Sequence, residues 1–125
     1  MHGRLAYVSH PYRDPDIHKI ISNINSAESF AKFVYDAGWH PITPHSLTPA
    51  IFGTICDDEE GIVDYHKSLM DAASIMFVCG NVITPGMQVE IDYCEKVGKP
   101  WEQINKNVPI KTYNHDTISN GVRGL

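Results

Sequence analysis

The chain has 125 residues, enough for one domain with a single hydrophobic core. Apolar residues make up 42% of it and charged residues 20%, a composition typical of globular proteins and not of disordered or disulfide-stapled ones. The net charge is −5, with seven Lys and three Arg, and this balance argues against a surface that binds a polynucleotide backbone.

The first predicted elements are a strand and a long helix. Residues 5–9 form a short apolar run that stops at a His-Pro pair, as is typical of a strand followed by a loop. Asp14 and Pro15 have the residue types of a helix N-cap and a first helical position. Apolar residues then recur at spacings of three and four, and Gly38 follows as a C-terminal cap. The segment therefore predicts an amphipathic helix.

The middle of the chain predicts two further strands with a helix between them. Residues 39–43 predict a short strand, which Pro41 places at an edge or a bend because proline lacks a backbone donor. Residues 44–56 predict a loop, and residues 57–73 predict a helix with an acidic first turn. Residues 75–79 are apolar at every position, which indicates a central strand covered on both faces.

The last part of the chain predicts one more helix and one more strand. Thr84 and Pro85 predict the start of the helix, and Gly98 predicts its end. Residues 108–113 predict the final strand. Residues 114–125 form a polar tail that is either frayed or ordered by a neighbouring subunit.

Strands and helices alternate along the chain, which predicts an α/β fold with a parallel sheet and helices on both faces. We assign residues 1–113 to this single domain. Ligands of such sheets bind beyond the carboxyl ends of the strands. This rule selects three loops, at residues 9–14, 43–56 and 80–86.

The sequence carries no sign of a metal, a cofactor or a membrane segment. Cys56, Cys79 and Cys94 are odd in number and widely spaced, so we expect buried thiols in a reducing compartment, with neither a disulfide framework nor a zinc ribbon. No histidine pair has the spacing of a metal site, and no GxGxxG or P-loop is present. No apolar run approaches the roughly 20 residues that cross a bilayer. We expect a cytoplasmic protein.

Glu90 is the first candidate for chemistry. At about 100° per residue, it falls within the apolar sector of the last helix, close to Met87 and Cys94. A carboxylate on an inward face is costly unless it is paired or used. The alternative is a partly exposed glutamate at the edge of the apolar stripe.

Three further features are candidates for ligand binding. Arg13, in the loop after the first strand, either pairs with a phosphate or carboxylate or is an exposed loop residue. His45, which follows Pro44, either contacts a flat ligand or caps a loop carbonyl. The helix start at residues 84–87, with Gly86 allowing close approach, either holds an anion or is simply well capped.

The preceding helix carries Asp64 and His66. A second carboxyl group near Glu90 would allow acid–base catalysis beside nucleophilic attack. The alternative for Asp64 is a solvated carboxylate on a helix that is acidic in any case.

Four segments, taken in order, resemble one known group of proteins. They are Tyr-Val-Ser-His-Pro-Tyr-Arg at residues 7–13, Asn-Ile-x-x-Ala at 23–27, Gly-x-x-Pro-x-x-Pro-His at 38–45, and Gly-Asn-x-x-Thr-x-Gly-Met-x-x-Glu-Ile at 80–91. Together they resemble the nucleoside 2-deoxyribosyltransferase-like superfamily, and within it the small DUF4406-type proteins of phages and bacteria.

The resemblance implies a flavodoxin- or Rossmann-like three-layer sandwich with a four- to five-stranded parallel sheet. It also implies cleavage or exchange of the base of a nucleoside or nucleoside monophosphate. Glu90 matches the nucleophile that forms a glycosyl ester, which water or a second base then resolves. Asp64 is the nearest match to the acid that serves the departing base, and some alignments place His66 there instead.

The resemblance further implies the walls of the pocket and the state of assembly. Tyr7, Ser9 and Gly80 match pocket positions, and Thr84 keeps a hydroxyl before Gly86 and Met87 at the helix start. Relatives assemble so that a neighbour completes the pocket, and we expect a homo-oligomer. The expected partner is a small nucleoside or nucleotide, with no polynucleotide and no membrane. The alternative function is non-catalytic binding of a nucleotide or a nucleotide-derived signal.

Overall fold

The computed structural model describes residues 4–53 and 58–113. Its strands are β1 (Leu5–Ser9), β2 (His40–Ile42), β3 (Ile75–Cys79) and β4 (Trp101–Ile104). Its helices are α1 (Ile17–Asp36), α2 (Thr48–Phe52), α3 (Glu59–Ala72) and α4 (Pro85–Val97), with a 3-10 turn at Pro44–Ser46 before α2.

The four strands form one parallel sheet in the order β2-β1-β3-β4. Ala6 pairs with Ile75 in the central β1–β3 ladder. The expected α/β fold and the edge position of the Pro41 strand are therefore confirmed, and the sheet has four strands. In this flavodoxin-like order the chain leaves β1 toward one side of the sheet and reaches β3 on the other side. The resulting crevice between β1 and β3 is where such folds bind ligands.

Two layers of helices enclose the sheet, and strand alternation divides the core between them. Phe30 and Val34 of α1 pack on the face that carries Ala6 and Val8. On the other face, α3 and α4 pack against side chains of β1 and β3. Buried residues of that second cluster are Tyr7, Met70, Ala73, Met76, Val78, Met87, Ile91 and Cys94. Tyr7 therefore faces α3 and α4.

Helix α1 begins two residues later than the sequence predicts. Its N-cap is Asp16, whose carboxylate accepts from the backbone N–H of His18 at 2.9 Å. The predicted N-cap, Asp14, instead accepts from the backbone N–H of Asp16. Asp14 and Asp16 flank Pro15, and both have the residue type of an N-cap. Asp16, which is nearer the helix, provides the cap.

Helix α4 has the boundaries that the sequence predicts. The Thr84 hydroxyl accepts from the backbone N–H of Met87 at 3.2 Å, Pro85 follows, and Gly98 ends the helix with φ +75°. Helix α3 is capped by Asp58, whose carboxylate accepts from the N–H of Gly61 at 2.8 Å.

The predicted last strand at residues 108–113 is wrong, because β4 lies at Trp101–Ile104. After the Gly98 cap the chain needs few residues to reach β3, where the Met76 N–H donates to the Pro100 carbonyl. Residues 108–113 instead fold back on the sheet. The backbone donors of Lys111 and Thr112 bond to the Glu102 carboxylate, not to a neighbouring strand.

Within the predicted loop at residues 44–56, the described residues 44–53 contain two short helical segments. Pro44 and Pro49 each occupy the start of a short helical segment, for which the fixed φ of proline is suited. Residues 54–57, which include Cys56 and the predicted start of the second helix, lie outside the described part. So does the tail at 114–125. Cys79 and Cys94 are buried free thiols, as predicted.

Candidate active site

Glu90 lies at the centre of the site. It sits three residues after the buried Met87 and one before the buried Ile91, so the helix turns its side chain toward the sheet. Its side chain is only 13% exposed. A carboxylate in this position needs hydrogen-bond donors to offset its lost hydration.

The donors come from β1. The Ser9 hydroxyl donates to Glu90 Oε1 at 2.7 Å, and the fully buried Tyr7 hydroxyl donates to Oε2. Burial, together with the negative charge of Glu90, raises the pKa of Tyr7 well above 10. The phenol therefore keeps its proton at neutral pH, and the carboxylate is held by one donor on each oxygen.

His66 of α3 faces the same carboxylate. Its Nδ1 lies 3.5 Å from Glu90 Oε2, and its side chain is 15% exposed. Its Nε2 lies 3.0 Å from the Thr48 hydroxyl, which donates its single proton to the Pro44 carbonyl at 2.7 Å. The Thr48 oxygen must therefore accept from His66, which places a proton on Nε2. If the ring carries two protons, the second one is on Nδ1, which faces the Glu90 carboxylate.

A second histidine, His45, is held on the other side of the site. It is 3% exposed, and its Nε2 donates to the backbone carbonyl of His10 at 2.9 Å. The rings of His10 and Tyr12 pack edge-on against it, with centroids 5.9 and 5.7 Å away. Burial lowers the pKa of His45 to about 4, so this imidazole is neutral at pH 7.

A cavity of about 440 Å³ opens beside these residues at the carboxyl edge of the sheet. The loop after β1, the 3-10 turn, α3 and the start of α4 provide its walls. Arg13 and Lys67 contribute positive charge to the walls. Glu59, which also lines the cavity, forms an ion pair with Arg13. The volume lies within the range of about 300–1,000 Å³ that small-molecule sites occupy.

The structure brings eight of the ten predicted site residues to this place. Three of them, Tyr7, Ser9 and Glu90, are joined by hydrogen bonds. The other five line the cavity, and they are Arg13, His45, Thr84, Gly86 and Met87. Of the alternatives left open for these positions, Arg13 forms an ion pair and stays 44% exposed, while His45 bonds a loop carbonyl and also lines the cavity.

Asp64 is not brought to the site. It is exposed on α3, whereas His66, two residues later, lines the cavity. Two residues of a helix differ in direction by about 200°, so Asp64 and His66 point to opposite sides. Of the two positions considered for the acid, the structure places His66 beside Glu90.

Gly80 is the other predicted site residue that does not line the cavity. Its φ of +86° is a conformation that favours glycine, and its N–H donates to the Ile104 carbonyl at 2.7 Å. Its carbonyl accepts from the Gln103 side chain. Gly80 thus ends β3 and ties it to β4.

Sequence reasoning missed four residues of the site: His10, Tyr12, Thr48 and Lys67. His10 and Tyr12 lie in the loop selected for ligand binding, so their rings were a usable signal. Thr48 lies in a segment predicted as loop, and no pattern marks it as the residue that orients His66. Lys67 is next to His66 on α3 and contacts the Tyr93 ring, 5.1 Å from its centroid.

The described residues show neither a metal cluster nor a membrane span. No group of three or more His, Cys, Asp or Glu within 4–53 and 58–113 is placed to hold a metal ion. In that same part of the chain, no helix combines the length and the apolar character needed to cross a bilayer.

The sequence matches a known family model over most of its length. Residues 4–104 match the family DUF7768, which is described as a domain of unknown function. The match includes all four strands and all four helices, so every element that builds the Glu90 site lies inside it. No curated protein matches the sequence.

Proposed function

We propose that this chain, which belongs to the DUF7768 family, cleaves or exchanges the base of a nucleoside or nucleoside monophosphate through a glycosyl ester on Glu90. The observation that carries the proposal is the Glu90 carboxylate, held by the Tyr7 and Ser9 hydroxyls beside a nucleoside-sized cavity. The resemblance of the four sequence segments to the nucleoside 2-deoxyribosyltransferase-like superfamily supports the same chemistry.

In the first step a Glu90 oxygen bonds to the anomeric carbon of the sugar. The bond from that carbon to the base nitrogen breaks, and its electron pair leaves with the base. The carboxylate is already oriented for this attack, because each of its oxygens accepts from a hydroxyl of β1. Little further ordering of the nucleophile is needed on the way to the transition state.

The departing base takes up a proton, and His66 is placed to supply it. It lines the cavity, and its Nε2 is fixed by Thr48, which leaves Nδ1 to exchange a proton on the Glu90 side. In the second step the same nitrogen accepts a proton from water or from the incoming base as the ester is displaced. This role for His66 replaces the one expected of Asp64.

The charges of the cavity favour a single nucleoside or nucleotide. Arg13 and Lys67 line its wall, and because Glu59 already pairs with Arg13, Lys67 is the better suited of the two to a phosphate group. With a net charge of −5, the chain as a whole does not suit a polynucleotide. A cytoplasmic location belongs to the proposal, since Cys79 and Cys94 are unpaired thiols. We also expect a homo-oligomer, which native mass spectrometry will test.

The decisive experiment is to incubate the protein with a panel of nucleosides and nucleoside monophosphates and to measure free base by chromatography. We expect release from at least one compound and no detectable release by Glu90→Gln. The Gln side chain keeps the shape of Glu and an oxygen for a hydroxyl donor, but it is a poor nucleophile. Asp92→Asn is the matched control. Asp92 is exposed on α4, and among the described residues its carboxylate accepts a hydrogen bond from the Gln88 side chain, one turn away on the same helix.

Turnover retained in Glu90→Gln would refute the covalent mechanism. Intact-mass measurement of acid-quenched wild-type protein should show an added glycosyl group that the variant lacks. A nucleotide that copurifies with the protein and is never cleaved would instead identify a binding protein.

A further inference from the structure

The cavity wall carries one cation that no carboxylate neutralises. Arg13, the other cation of the wall, forms an ion pair with Glu59. Among residues 4–53 and 58–113, Lys67 has no carboxylate oxygen within 4.0 Å of its ammonium group and takes part in no hydrogen bond. Once Arg13 and Glu59 are paired, Lys67 is the cation that remains for a ligand.

Helix α3 turns Lys67 toward the cavity. The α3 residues that line it recur at i, i+3, i+4, i+7, i+8 and i+11, the pattern of one helix face, and they are Glu59, Ile62, Val63, His66, Lys67 and Met70. Lys67 is half-buried, and its Nζ does not belong to the buried side-chain atoms that lack a hydrogen-bond partner in the described part of the chain. Since Nζ has no such partner, it retains accessible surface.

An aromatic ring, not an acid, holds the ammonium group. Nζ lies 5.1 Å from the centroid of the Tyr93 ring, and the Tyr93 hydroxyl donates to Asp71. A cation–π contact restricts the lysine side chain without cancelling its charge. An anionic group of a ligand can therefore pair with Lys67 without first displacing a carboxylate, whereas at Arg13 it would have to displace Glu59.

Lys67 is also close to the proposed reacting centre. It follows His66 directly on α3, and His66 Nδ1 lies 3.5 Å from Glu90 Oε2. The cavity of about 440 Å³ has the size of a site for one small ligand, so a nucleotide that presents its sugar to Glu90 has its phosphate within the same walls. A phosphate in one cavity with the Glu90 carboxylate needs a cation to offset the repulsion between the two negative groups.

We infer that the ligand is a nucleoside monophosphate whose phosphate group binds Lys67, so that the site selects monophosphates over the nucleosides that lack this group. The inference rests on the proposed function in taking the ligand to be a nucleoside compound. Its physical basis is the charge-assisted hydrogen bond from the ammonium group to a phosphate oxygen, which a nucleoside cannot form.

Matched pairs of ligands test this inference. Each pair is a nucleoside and its 5′-monophosphate, with adenine, guanine, cytosine or uracil as the base and ribose or 2′-deoxyribose as the sugar. Binding is measured by calorimetry in the Glu90→Gln background, so that turnover does not interfere. For at least one pair we expect the phosphate to strengthen binding about tenfold or more.

Two lysine variants in the same background show where the preference arises. Lys67→Met removes the ammonium group and keeps an unbranched side chain, and we expect it to bind the nucleoside as before and the monophosphate no more tightly. Lys96→Met is the matched control, because Lys96 is exposed on α4, does not belong to the cavity lining, and carries the same charge. We expect this control to keep the full preference. Unchanged melting temperatures show that both variants are folded.

The outcomes separate this inference from the proposed function. A phosphate preference that disappears in Lys67→Met and persists in Lys96→Met supports the inference even if no base is ever released. Equal binding of both members of every pair overturns it, while base release by the wild type still supports the function. A preference that persists in Lys67→Met, one that both variants lose equally, or no binding of any compound also overturns it. So does inorganic phosphate that binds as tightly as the monophosphates, since the site would then ignore the nucleoside.

Discussion

Replacing Tyr7 by Phe tests whether a buried phenol holds the Glu90 carboxylate. Tyr7 is fully buried, and the substitution keeps its ring in the core while removing the donor to Oε2. A hydrogen bond to a charged group contributes about 1.5–3 kcal/mol, so we expect the free energy of unfolding to fall by about 2 kcal/mol at pH 7. Urea unfolding followed by circular dichroism measures this difference.

Tyr93→Phe is the matched control. The Tyr93 hydroxyl also donates to a carboxylate, Asp71 Oδ1, at 2.5 Å, but this pair lies at the protein surface. Water replaces the lost donor there, and we expect little change in stability. If both variants lost stability equally, burial of the Tyr7 bond would not matter and the reasoning would fail.

The pH dependence of the difference is a second check on the same bond. Burial and the charge of Glu90 raise the pKa of Tyr7 in the folded chain well above 10, the value for a free tyrosine. The stabilisation is present below pH 10 and is lost as pH rises toward the folded pKa, because only the unfolded chain releases the proton. Above pH 10 the gap between wild type and Tyr7→Phe should shrink by about 1.4 kcal/mol per pH unit. A gap that is constant from pH 7 to 11 would refute this account.

Two further predictions concern the histidines. His66→Gln keeps a donor for Thr48 but removes the nitrogen that faces Glu90, so we expect base release to fall by roughly 10²-fold or more, with Asp64→Asn unchanged. Equal losses in the two variants, measured by the base-release assay, would contradict this placement of the acid. The pKa of His45 is about 4 in the folded chain and 6.5 when the side chain is free. Between these values only the unfolded chain binds the proton, so the free energy of unfolding decreases as pH falls from 6.5 to 4. Acid unfolding should show a loss of roughly 3 kcal/mol from this group, and His45→Gln should lack it.

The sequence predicts best those elements in which caps and periodicity agree. Helix α4 has Thr84, Pro85 and Gly98 at its ends, and each occupies the predicted position. The strand β4 was missed because only its ends, Trp101 and Ile104, are apolar. Its place in the sheet depends on pairing with β3, which is a long-range contact that a local pattern does not contain.

The site was predictable to the extent that side-chain direction follows from periodicity. Glu90 was found because a carboxylate interrupts the apolar stripe of α4. The same reasoning places His66 on the inner side of α3, four residues after the buried Ile62, and directs Asp64 away from it. The orientation of His66 by Thr48 was not predictable, because it depends on how a loop folds back onto a helix.

Strand alternation explains why the site and the core depend on the same register. Tyr7 and Ser9 are two residues apart in β1, so both face α4, while Val8 between them faces α1. A slip of one residue in β1 would put Val8 opposite Glu90 and would bury both hydroxyl groups against α1. The packing of apolar side chains on the α1 face thus fixes which two hydroxyls reach the carboxylate. Because the core enforces this register, substitutions that spare the Tyr7 ring can remove a donor from the site and still leave the sheet intact.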